Sequence, residues 1–339
     1  MKKYLKIYTR EDLAPYENER KGAVVWSQNL MFFNRETDLS AQLETSSARY
    51  ILFGITEDAG VLANHGRPGA DNAWRATMKA LLNVQYNRFN KAENVILLGN
   101  LDFSELLASL NLEEGFNPAR LHDTVAHIDD VVSELVEKIV RAGKIPIAVG
   151  GGHNNAYGML KGTALALGRS VNVINIDAHA DLRPRDYRHS GNGFSYAYVE
   201  GYLKKYFIYG LHENYISEAI SKKIEGWSEN VAYNTYEELE VRCDKDSEAE
   251  TVRALKFVSA QGASFGLEID CDVMENIPTS ALTPSGLSVQ HVRRLNHVFS
   301  RSPQLRYLHI CEAAPDSEKP EEMIRVGKLI AYLITDFVR

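Results

Sequence analysis

The sequence has few cysteines, and neither a signal peptide nor a membrane-spanning segment is expected in it. Three cysteines occur among 339 residues, Cys243, Cys271 and Cys311, and they form neither a Cys-x-x-Cys pair nor an even disulfide set. This scarcity favours a reducing compartment. The first ten residues lack the apolar core of a signal peptide, and no uninterrupted apolar run is long enough to cross a bilayer. We therefore expect a cytoplasmic protein that is not inserted in a membrane.

An excess of positive charge is also absent. The formal net charge is −7, which disfavours nucleic acid or an anionic membrane as the main partner. Neither a flexible linker, an internal repeat nor a low-complexity segment divides the chain, and a hydrophobic fraction of 45% supports a large core. We expect a single domain over residues 46–339, preceded by an N-terminal extension over residues 1–45 that packs on this domain or on a neighbouring subunit.

What the chain does contain is an alternation of apolar strands and amphipathic helices. Strands are predicted at 49–55, 94–99, 144–149, 171–176, 206–209, 264–270 and 306–311, and a strand followed by a turn at 230–238. Helices are predicted at 70–83, 121–142, 154–167, 195–205, 247–261, 289–299 and 320–337. This order favours a three-layer α/β/α fold with a mostly parallel sheet that is covered on both faces.

The most informative stretch is residues 171–183, an apolar β-branched run that breaks into Asp177, His179 and Asp181. Alternate side chains of an extended backbone share one face, so these three converge at the carboxyl end of a strand. Oxygen ligands with one imidazole suit a divalent ion such as Mn²⁺. Taken alone, the motif is equally compatible with turn residues that cap a following helix.

Two other predicted strands end in similar chemistry, at Gly150-Gly-Gly-His153 and at Glu268-Ile-Asp270-Cys-Asp272. Alone, the first is compatible with a glycine-rich turn and the second with a solvated edge strand. In open α/β sheets, however, the carboxyl ends of strands meet in the ligand-binding crevice. The three motifs together supply six ligands, more than one small catalytic ion takes from protein. They predict two ions ~3.5–4 Å apart that share carboxylates.

The three motifs resemble, in order and spacing, the signatures of the arginase/ureohydrolase superfamily, and the resemblance covers roughly residues 48–335. It implies an α/β/α fold around an eight-stranded parallel sheet and a dinuclear manganese centre with a bridging hydroxide. It also implies the ligands of each ion: His153 and Asp181 for one, His179 and Asp272 for the other, and Asp177 and Asp270 for both.

Three places depart from the usual pattern of that family. Gly152 stands where the family often has aspartate, Glu268 where it often has serine, and Glu275-Asn276 where it often has Asp-Pro. None of these positions is a metal ligand. The departures indicate a subfamily away from arginase itself.

Substrate selection is expected to come from Glu312 and from the loop over residues 182–194. Glu312 matches the family glutamate that pairs with the guanidinium or formimino nitrogen of the substrate. The loop carries Arg183, Arg185 and Arg188, and Arg183 falls where arginase has a polar residue that contacts the substrate carboxylate. Arginines bind carboxylates through two hydrogen bonds, so a cationic rim suits a dicarboxylate and repels agmatine. Further candidate substrate contacts are Asn64, Arg67 and Asn192; at least one arginine of the loop is expected to have no substrate role.

Residues 64–69 and 189–194 look like the formimidoylglutamase branch of the superfamily. This resemblance implies hydrolysis of N-formimidoyl-L-glutamate to L-glutamate and formamide in histidine degradation. Asp272 would help pass a proton to the leaving amine, and Glu312 would orient the formimino group. His189 is a candidate proton shuttle, because the family's shuttle histidine corresponds to the neighbouring Ser190.

Two alternatives stay open at this point. One is another ureohydrolase, acting on arginine, agmatine or a guanidino acid. The other is a metal-poor relative without catalytic activity, serving as a regulatory or scaffold protein. The family resemblance also suggests a homo-oligomer, a trimer or hexamer.

Overall fold

The computed structural model describes residues 1–18, 22–110 and 118–339. Within these residues nine strands form one sheet: β1 (Leu5–Ile7), β2 (Tyr50–Thr56), β3 (Val95–Asp102), β4 (Ile145–Val149), β5 (Val171–Ile176), β6 (Leu203–Leu211), β7 (Val231–Thr235), β8 (Phe265–Asp270) and β9 (Leu305–Cys311). The strand order is β1-β3-β2-β4-β9-β8-β5-β6-β7, and only the β1–β3 pairing is antiparallel. The predicted α/β class is confirmed, with eight parallel strands and one antiparallel edge strand.

Eleven α-helices accompany the sheet within the described residues. They are α1 (Leu39–Thr45), α2 (Ala59–Ala63), α3 (Asn72–Leu81), α4 (Ser104–Ala108), α5 (Pro118–Arg141), α6 (Asn155–Leu167), α7 (Gly193–Val199), α8 (Glu218–Gly226), α9 (Ser247–Ser259), α10 (Val289–Ser300) and α11 (Pro320–Val338). None of these helices is both long and apolar enough to cross a membrane.

The helix predicted at 195–205 is wrong in its second half. Helix α7 ends at Val199, and Gly201 follows with a φ of +82°, the left-handed conformation that ends many helices. The amides of Gly201 and Tyr202 donate back to the carbonyls of Tyr198 and Ala197. The chain then enters β6 at Leu203, so Lys205 lies in a strand. Helices α1, α2, α4 and α8 were not predicted.

The first 45 residues, predicted as an extension, contribute to the same sheet and the same core. Strand β1 pairs with β3 in a register that places Leu5 opposite Leu101. Leu13 and Trp26 have no solvent exposure and belong to the main apolar cluster. This segment therefore packs on its own domain and forms one edge of it.

Two apolar layers cover the two faces of the sheet. Helices α3, α9, α10 and α11 pack on one face, while α1, α5, α6 and α7 pack on the other. Strand β5 contributes side chains to both layers: Ile174 and Ile176 belong to the first, and Val171 and Val173 belong to the second. Strands β2, β4, β9, β8 and β5 are consecutive neighbours, so their carboxyl ends form one row at the centre of the molecule.

Candidate metal centre

Three of the six predicted ligands surround the imidazole of a fourth, His153. Its Nδ1 lies 2.9 Å from an oxygen of Asp181, 3.0 Å from one of Asp270 and 3.3 Å from one of Asp177. These side chains follow three different strands, β4, β5 and β8, whose ends the sheet order brings together. The first group of donors that could hold a cation therefore consists of one imidazole and three carboxylates.

A second group forms around His179. Its Nδ1 lies 3.1 Å from Asp272 Oδ2 and 3.7 Å from Asp177 Oδ1. Asp177 thus belongs to both groups and turns a different oxygen to each histidine. In the described structure Asp270 shares ligand atoms with the first group only and meets the second through the backbone amide of Asp272, so its bridging role stays a prediction.

Backbone and side-chain donors hold the carboxylates in place. Asp177 Oδ1 accepts from the backbone amide of His179 at 2.6 Å, and its Oδ2 accepts from Asn175 Nδ2 at 2.7 Å. Asp270 Oδ1 accepts from the amide of Asp272 at 2.9 Å. Asp181 itself has a φ of +48°, in the left-handed region that residues with a side chain seldom adopt. Such strain persists where the surrounding structure imposes it, often at functional sites.

The electrostatics of the two groups fit a pair of divalent cations. Burial and the neighbouring charges of Asp272 and Asp177 raise the pKa of Asp270 well above its usual value. Burial favours the neutral form of His179, but the carboxylates of Asp272 and Asp177 raise its pKa well above the usual value. Buried like charges of this kind are costly unless a cation neutralises them.

Buried polar atoms without a hydrogen-bond partner also fit a site for divalent cations. Within the described residues, both ring nitrogens of His153 and Oδ1 of Asp272 are buried without a hydrogen-bond partner. Buried polar groups are normally paired, so such orphans need an explanation. Carboxylate oxygens and imidazole nitrogens are a suitable donor set for Mn²⁺. The structure thus brings all six predicted ligands together, and their binding of metal stays a prediction.

The turn that carries His153 is held by Glu57, which sequence reasoning missed. This fully buried carboxylate follows β2 and accepts from the Gly152 amide at 3.0 Å and from Asn155 Nδ2 at 2.6 Å. Its second oxygen accepts from the Ala59 amide at 2.7 Å. The sequence does carry a signal for Glu57, because it is an acidic residue directly after a central strand. Asp177 was singled out by the same rule, that functional side chains lie at the carboxyl ends of strands.

The structure explains why glycine stands at position 152. A Cβ there would lie 2.6 Å from Asn154 Oδ1 and 2.8 Å from a methyl group of Val61. Both distances are too short for a real contact, so a larger residue would require the side chains of Asn154 and Val61 to move. The departure from the family pattern is therefore tied to this packing.

Glu312 lies where the prediction placed it, at the end of β9 and beside the first group. Its Oε1 accepts from the His153 amide at 2.7 Å, and its Oε2 accepts from Ser280 Oγ at 3.2 Å. Its backbone φ of +60° turns the chain sharply after the strand. Burial raises the pKa of this carboxyl group to about 8, and the Asp272 charge adds to the effect. A cationic amidine placed beside it would favour the ionised form.

Arg183 lies at the solvent-exposed rim. Its Nη1 donates to Asn64 Oδ1 at 2.8 Å, and Asn64 Nδ2 donates in turn to Ser190 Oγ at 3.1 Å. This is the single side-chain hydrogen bond that the described residues give Arg183, and a guanidinium has five N–H donors. The geometry therefore leaves donors available for a ligand carboxylate.

Arg188 has a different role from its neighbour in the same loop. It is buried and makes a two-bond ion pair with Asp129, with N–O distances of 2.7 and 3.1 Å. It also donates to the backbone carbonyl of Asn154 at 3.1 Å. Burial raises the pKa of Asp129 to about 6 against the opposing charge of Arg188, so the carboxylate is ionised at neutral pH. Arg188 anchors the loop on α5 and does not face a substrate.

Two other candidate substrate contacts are engaged within the protein. Asn192 has no solvent exposure, and its Nδ2 donates to the carbonyls of Pro184 and Tyr187 at 3.0 and 2.7 Å. Its Oδ1 accepts from Arg188, so its polar atoms hold the loop together and a substrate contact is not favoured. Arg67 Nη2 donates to the carbonyls of Thr279 and Ala314. Arg67 therefore ties two loops, and its contact with substrate stays a prediction.

Asp129→Ala is expected to lower the free energy of unfolding by about 3–5 kcal/mol, because it leaves the Arg188 charge buried without a partner. The neighbouring Asp130 provides a matched control: its side chain is 68% exposed and pairs with Lys161 at the surface. Asp130→Ala should stay within about 1 kcal/mol of wild type. Urea unfolding of the three proteins measures both values, and equal midpoints would contradict the anchoring role of Arg188.

The surroundings of His189, the candidate proton shuttle, favour its neutral form. Burial and the positive charges of Arg183 and Arg188 lower its pKa to about 4. Its Nδ1 accepts from the Gly191 amide at 3.1 Å, which places the ring proton of the neutral form on Nε2. An efficient shuttle has a pKa near the working pH. A catalytic role for His189 stays a prediction, and its low pKa argues against it.

Tyr215 was also missed. Its ring stacks on His179 with centroids 4.9 Å apart and an interplanar angle of 14°. On its other side it stacks with the buried His212 at 5.2 Å. The side chain is 44% exposed, so it forms part of the rim next to the second group. No motif points to it, because its position depends on the turn after β6.

Comparisons with known proteins give a consistent result. Formimidoylglutamase from Macrococcus caseolyticus is 26% identical over 323 residues, covering 94% of this chain and 92% of that protein. The enzyme of the same name from Lysinibacillus sphaericus is 26% identical over 309 residues, covering 87% and 85%.

Solved structures share the fold. Formimidoylglutamase from Bacillus subtilis superposes with a TM-score of 0.74 at 17% identity, covering 97% of this chain and 98% of that one. Formiminoglutamase from Trypanosoma cruzi with Mn²⁺ gives 0.67 at 18% identity, covering 88% and 97%. The sequence model of the arginase family matches residues 48–335, which include every residue of both donor groups. The chain belongs to the arginase family.

Proposed function

We propose that this protein hydrolyses N-formimidoyl-L-glutamate to L-glutamate and formamide with the help of two Mn²⁺ ions. The observation that carries the proposal is the position of Asp177, which is shared by two buried donor groups at the carboxyl edge of the sheet. A shared carboxylate between two such groups is the expected support for a two-metal hydrolase. The activity named for the similar proteins supports the choice of reaction.

The six ligands would hold the ions as the family resemblance assigns them. His153 and Asp181 would bind one ion, His179 and Asp272 the other, and Asp177 and Asp270 would bind both. Bound divalent cations lower the pKa of water, so that hydroxide is available near neutral pH. Mn²⁺ is the ion present in the similar enzyme of Trypanosoma cruzi.

Two carboxylates of the chain would act on the formimino group of the substrate, one by orienting it and one by transferring a proton. Glu312 is held by the His153 amide and Ser280, so it is fixed to orient the formimino group. Asp272 has a buried oxygen without a partner, which would accept a proton from water and pass it to the leaving nitrogen. In the overall step a C–O bond forms at the formimino carbon, and the bond to the glutamate nitrogen breaks. The protonated nitrogen leaves with glutamate, and the carbon leaves as formamide.

Arg183 would select the substrate. Its guanidinium is exposed, is held at one nitrogen by Asn64 and keeps other donors for a carboxylate. Glutamate carries two carboxylates, whereas the far end of agmatine is a cation that this rim would repel. The observed geometry thus supports a substrate rich in carboxylates over a diamine.

The test is a substrate panel with purified protein and Mn²⁺. We expect formamide release from N-formimidoyl-L-glutamate at a higher kcat/KM than urea release from arginine, agmatine or guanidino acids. More efficient urea production from any of these would replace the assignment with another ureohydrolase. A protein that binds less than one Mn²⁺ per chain after reconstitution, with no release of either product, would support the non-catalytic alternative.

His189→Asn is expected to keep kcat within about tenfold of wild type, whereas loss of a proton shuttle typically costs about 10²–10⁴-fold. The reason is that an imidazole with a pKa near 4 is neutral at pH 7 and lacks the second, acidic proton of the imidazolium form, and the asparagine oxygen can still accept from the Gly191 amide. Steady-state formamide assays with and without added imidazole give the answer. A fall of a hundredfold or more that imidazole restores would identify His189 as the shuttle.

The proposal includes a cytoplasmic location and a homo-oligomer, a trimer or hexamer. The scarcity of cysteines supports the first, since the three thiols are all free in the described structure. Family resemblance is the support for the second. Light scattering coupled to size-exclusion chromatography measures the oligomer directly, and a monomer at micromolar concentration would contradict it.

A further inference from the structure

Behind His153, on the side away from the donor groups, lies a second buried carboxylate. While Nδ1 of His153 faces Asp177, Asp181 and Asp270, its Nε2 lies 3.7 Å from Oε2 of Glu268. Nε2 is buried without a hydrogen-bond partner among the described residues. Glu268 has no solvent exposure and stands where the family often has serine. The acid at this position therefore needs its own explanation.

Glu268 is held rigidly by the neighbouring strand. Its Oε1 accepts from the hydroxyl of Tyr307 at 2.8 Å, and Nδ1 of His309 lies 2.6 Å from its Oε2. Strands β8 and β9 pair so that Glu268 and His309 are direct partners, and all three side chains are fully buried. The carboxylate of Glu268 is not in contact with solvent. It presents one oxygen to two imidazoles, those of His309 and His153.

We propose that Glu268 is a positioning residue that keeps the proton of His153 on Nε2 and so leaves the Nδ1 lone pair for a metal ion. This inference rests on the proposed metal centre. A neutral imidazole has one donor and one acceptor nitrogen, and a metal takes the acceptor. A carboxylate that receives the other N–H fixes both the tautomer and the orientation of the ring. A hydrogen bond needs an N–O distance of ~2.7–3.2 Å, so ring and carboxylate approach by less than about 1 Å when it forms.

The alternative is that Glu268 only fills the core between β8 and β9. In that case its removal would change stability without changing the metal sites selectively. His179 and Asp272 would serve only the second ion, even though the two ions share carboxylates, so the second ion is an internal reference. A positioning role affects one ion, whereas a general disturbance of the core affects both.

Glu268→Gln tests the inference, with Mn²⁺ binding measured by equilibrium dialysis and metal analysis of the folded protein. We expect the affinity for one ion to fall about 10–100-fold, while the other ion binds as in wild type. Glu250→Gln is the matched control: Glu250 is also a buried acid held by polar partners, Asn234 and Arg253, but it lies outside both donor groups. Its Mn²⁺ binding should equal that of wild type.

The outcomes separate this inference from the proposed function. Wild-type binding of two ions together with unchanged binding by Glu268→Gln would overturn the role of Glu268 alone. A wild-type protein that binds fewer than two ions contradicts the proposed metal centre instead. If Glu268→Gln does not fold, ¹⁵N spectra of wild-type protein loaded with diamagnetic Zn²⁺ decide. A proton on Nε2 of His153 supports the inference, and a proton on Nδ1 overturns it.

Discussion

Asp177→Asn is expected to reduce kcat for formamide release by roughly a thousandfold or more. Metal ions at such centres lower the pKa of water from ~15.7 to about 7, and a variant that binds the ions poorly loses this activation. Asp177 gives one oxygen to each donor group, so a single amide substitution weakens both. The amide also loses the charge that offsets two cations. We therefore expect the variant to bind fewer than two Mn²⁺ per chain while it keeps its fold.

The control for this experiment is Asp186→Asn. Asp186 is an exposed acid in the loop beside the centre and carries the same chemical change without contact to either donor group. It should bind two Mn²⁺ and keep its kcat. Metal content, kcat and circular dichroism are measured on the same preparations. An Asp177→Asn protein with two ions and full activity would remove the basis for a shared carboxylate.

Arg183→Ala is expected to raise KM for N-formimidoyl-L-glutamate about 10- to 150-fold, because a hydrogen bond to a charged group contributes about 1.5–3 kcal/mol. The change in kcat should be small, since the arginine lies at the rim and not among the buried donor groups. Arg183→Lys should fall between wild type and alanine, because an ammonium keeps the charge but loses the planar two-bond geometry. Any residual activity with agmatine should not decrease in the alanine variant.

Arg185→Ala provides the comparison within the same loop. Its guanidinium is exposed and lies over the ring of Tyr196, 5.5 Å from the ring centroid. Its removal should change KM less than twofold if only Arg183 binds the substrate. Equal effects at the two positions would indicate a general electrostatic field from the loop rather than a specific carboxylate contact.

The contrast between Arg183 and Arg188 shows where prediction from sequence reached its limit. Both stand in one loop five residues apart, and composition alone made them equivalent candidates. The partner that buries Arg188 is Asp129 on α5, 59 residues earlier in the chain. The family resemblance singled out Arg183, but a long-range pairing leaves no periodic trace in the sequence, so the anchoring role of Arg188 could not be found without coordinates. The same holds for Tyr215, whose ring stacks on His179.

The sequence by itself determined the local chemistry: which strands are apolar, where each ends, and that Asp177, His179 and Asp181 directly follow one of them. These follow from the pattern of apolar and polar side chains along the backbone, a property of consecutive residues. The tertiary structure alone decided that β9 and β8 lie between β4 and β5, which sets Asp177 between two histidines and Glu268 behind one of them. The physical reason is that strand order is set by packing across the whole sheet, between residues far apart in the chain.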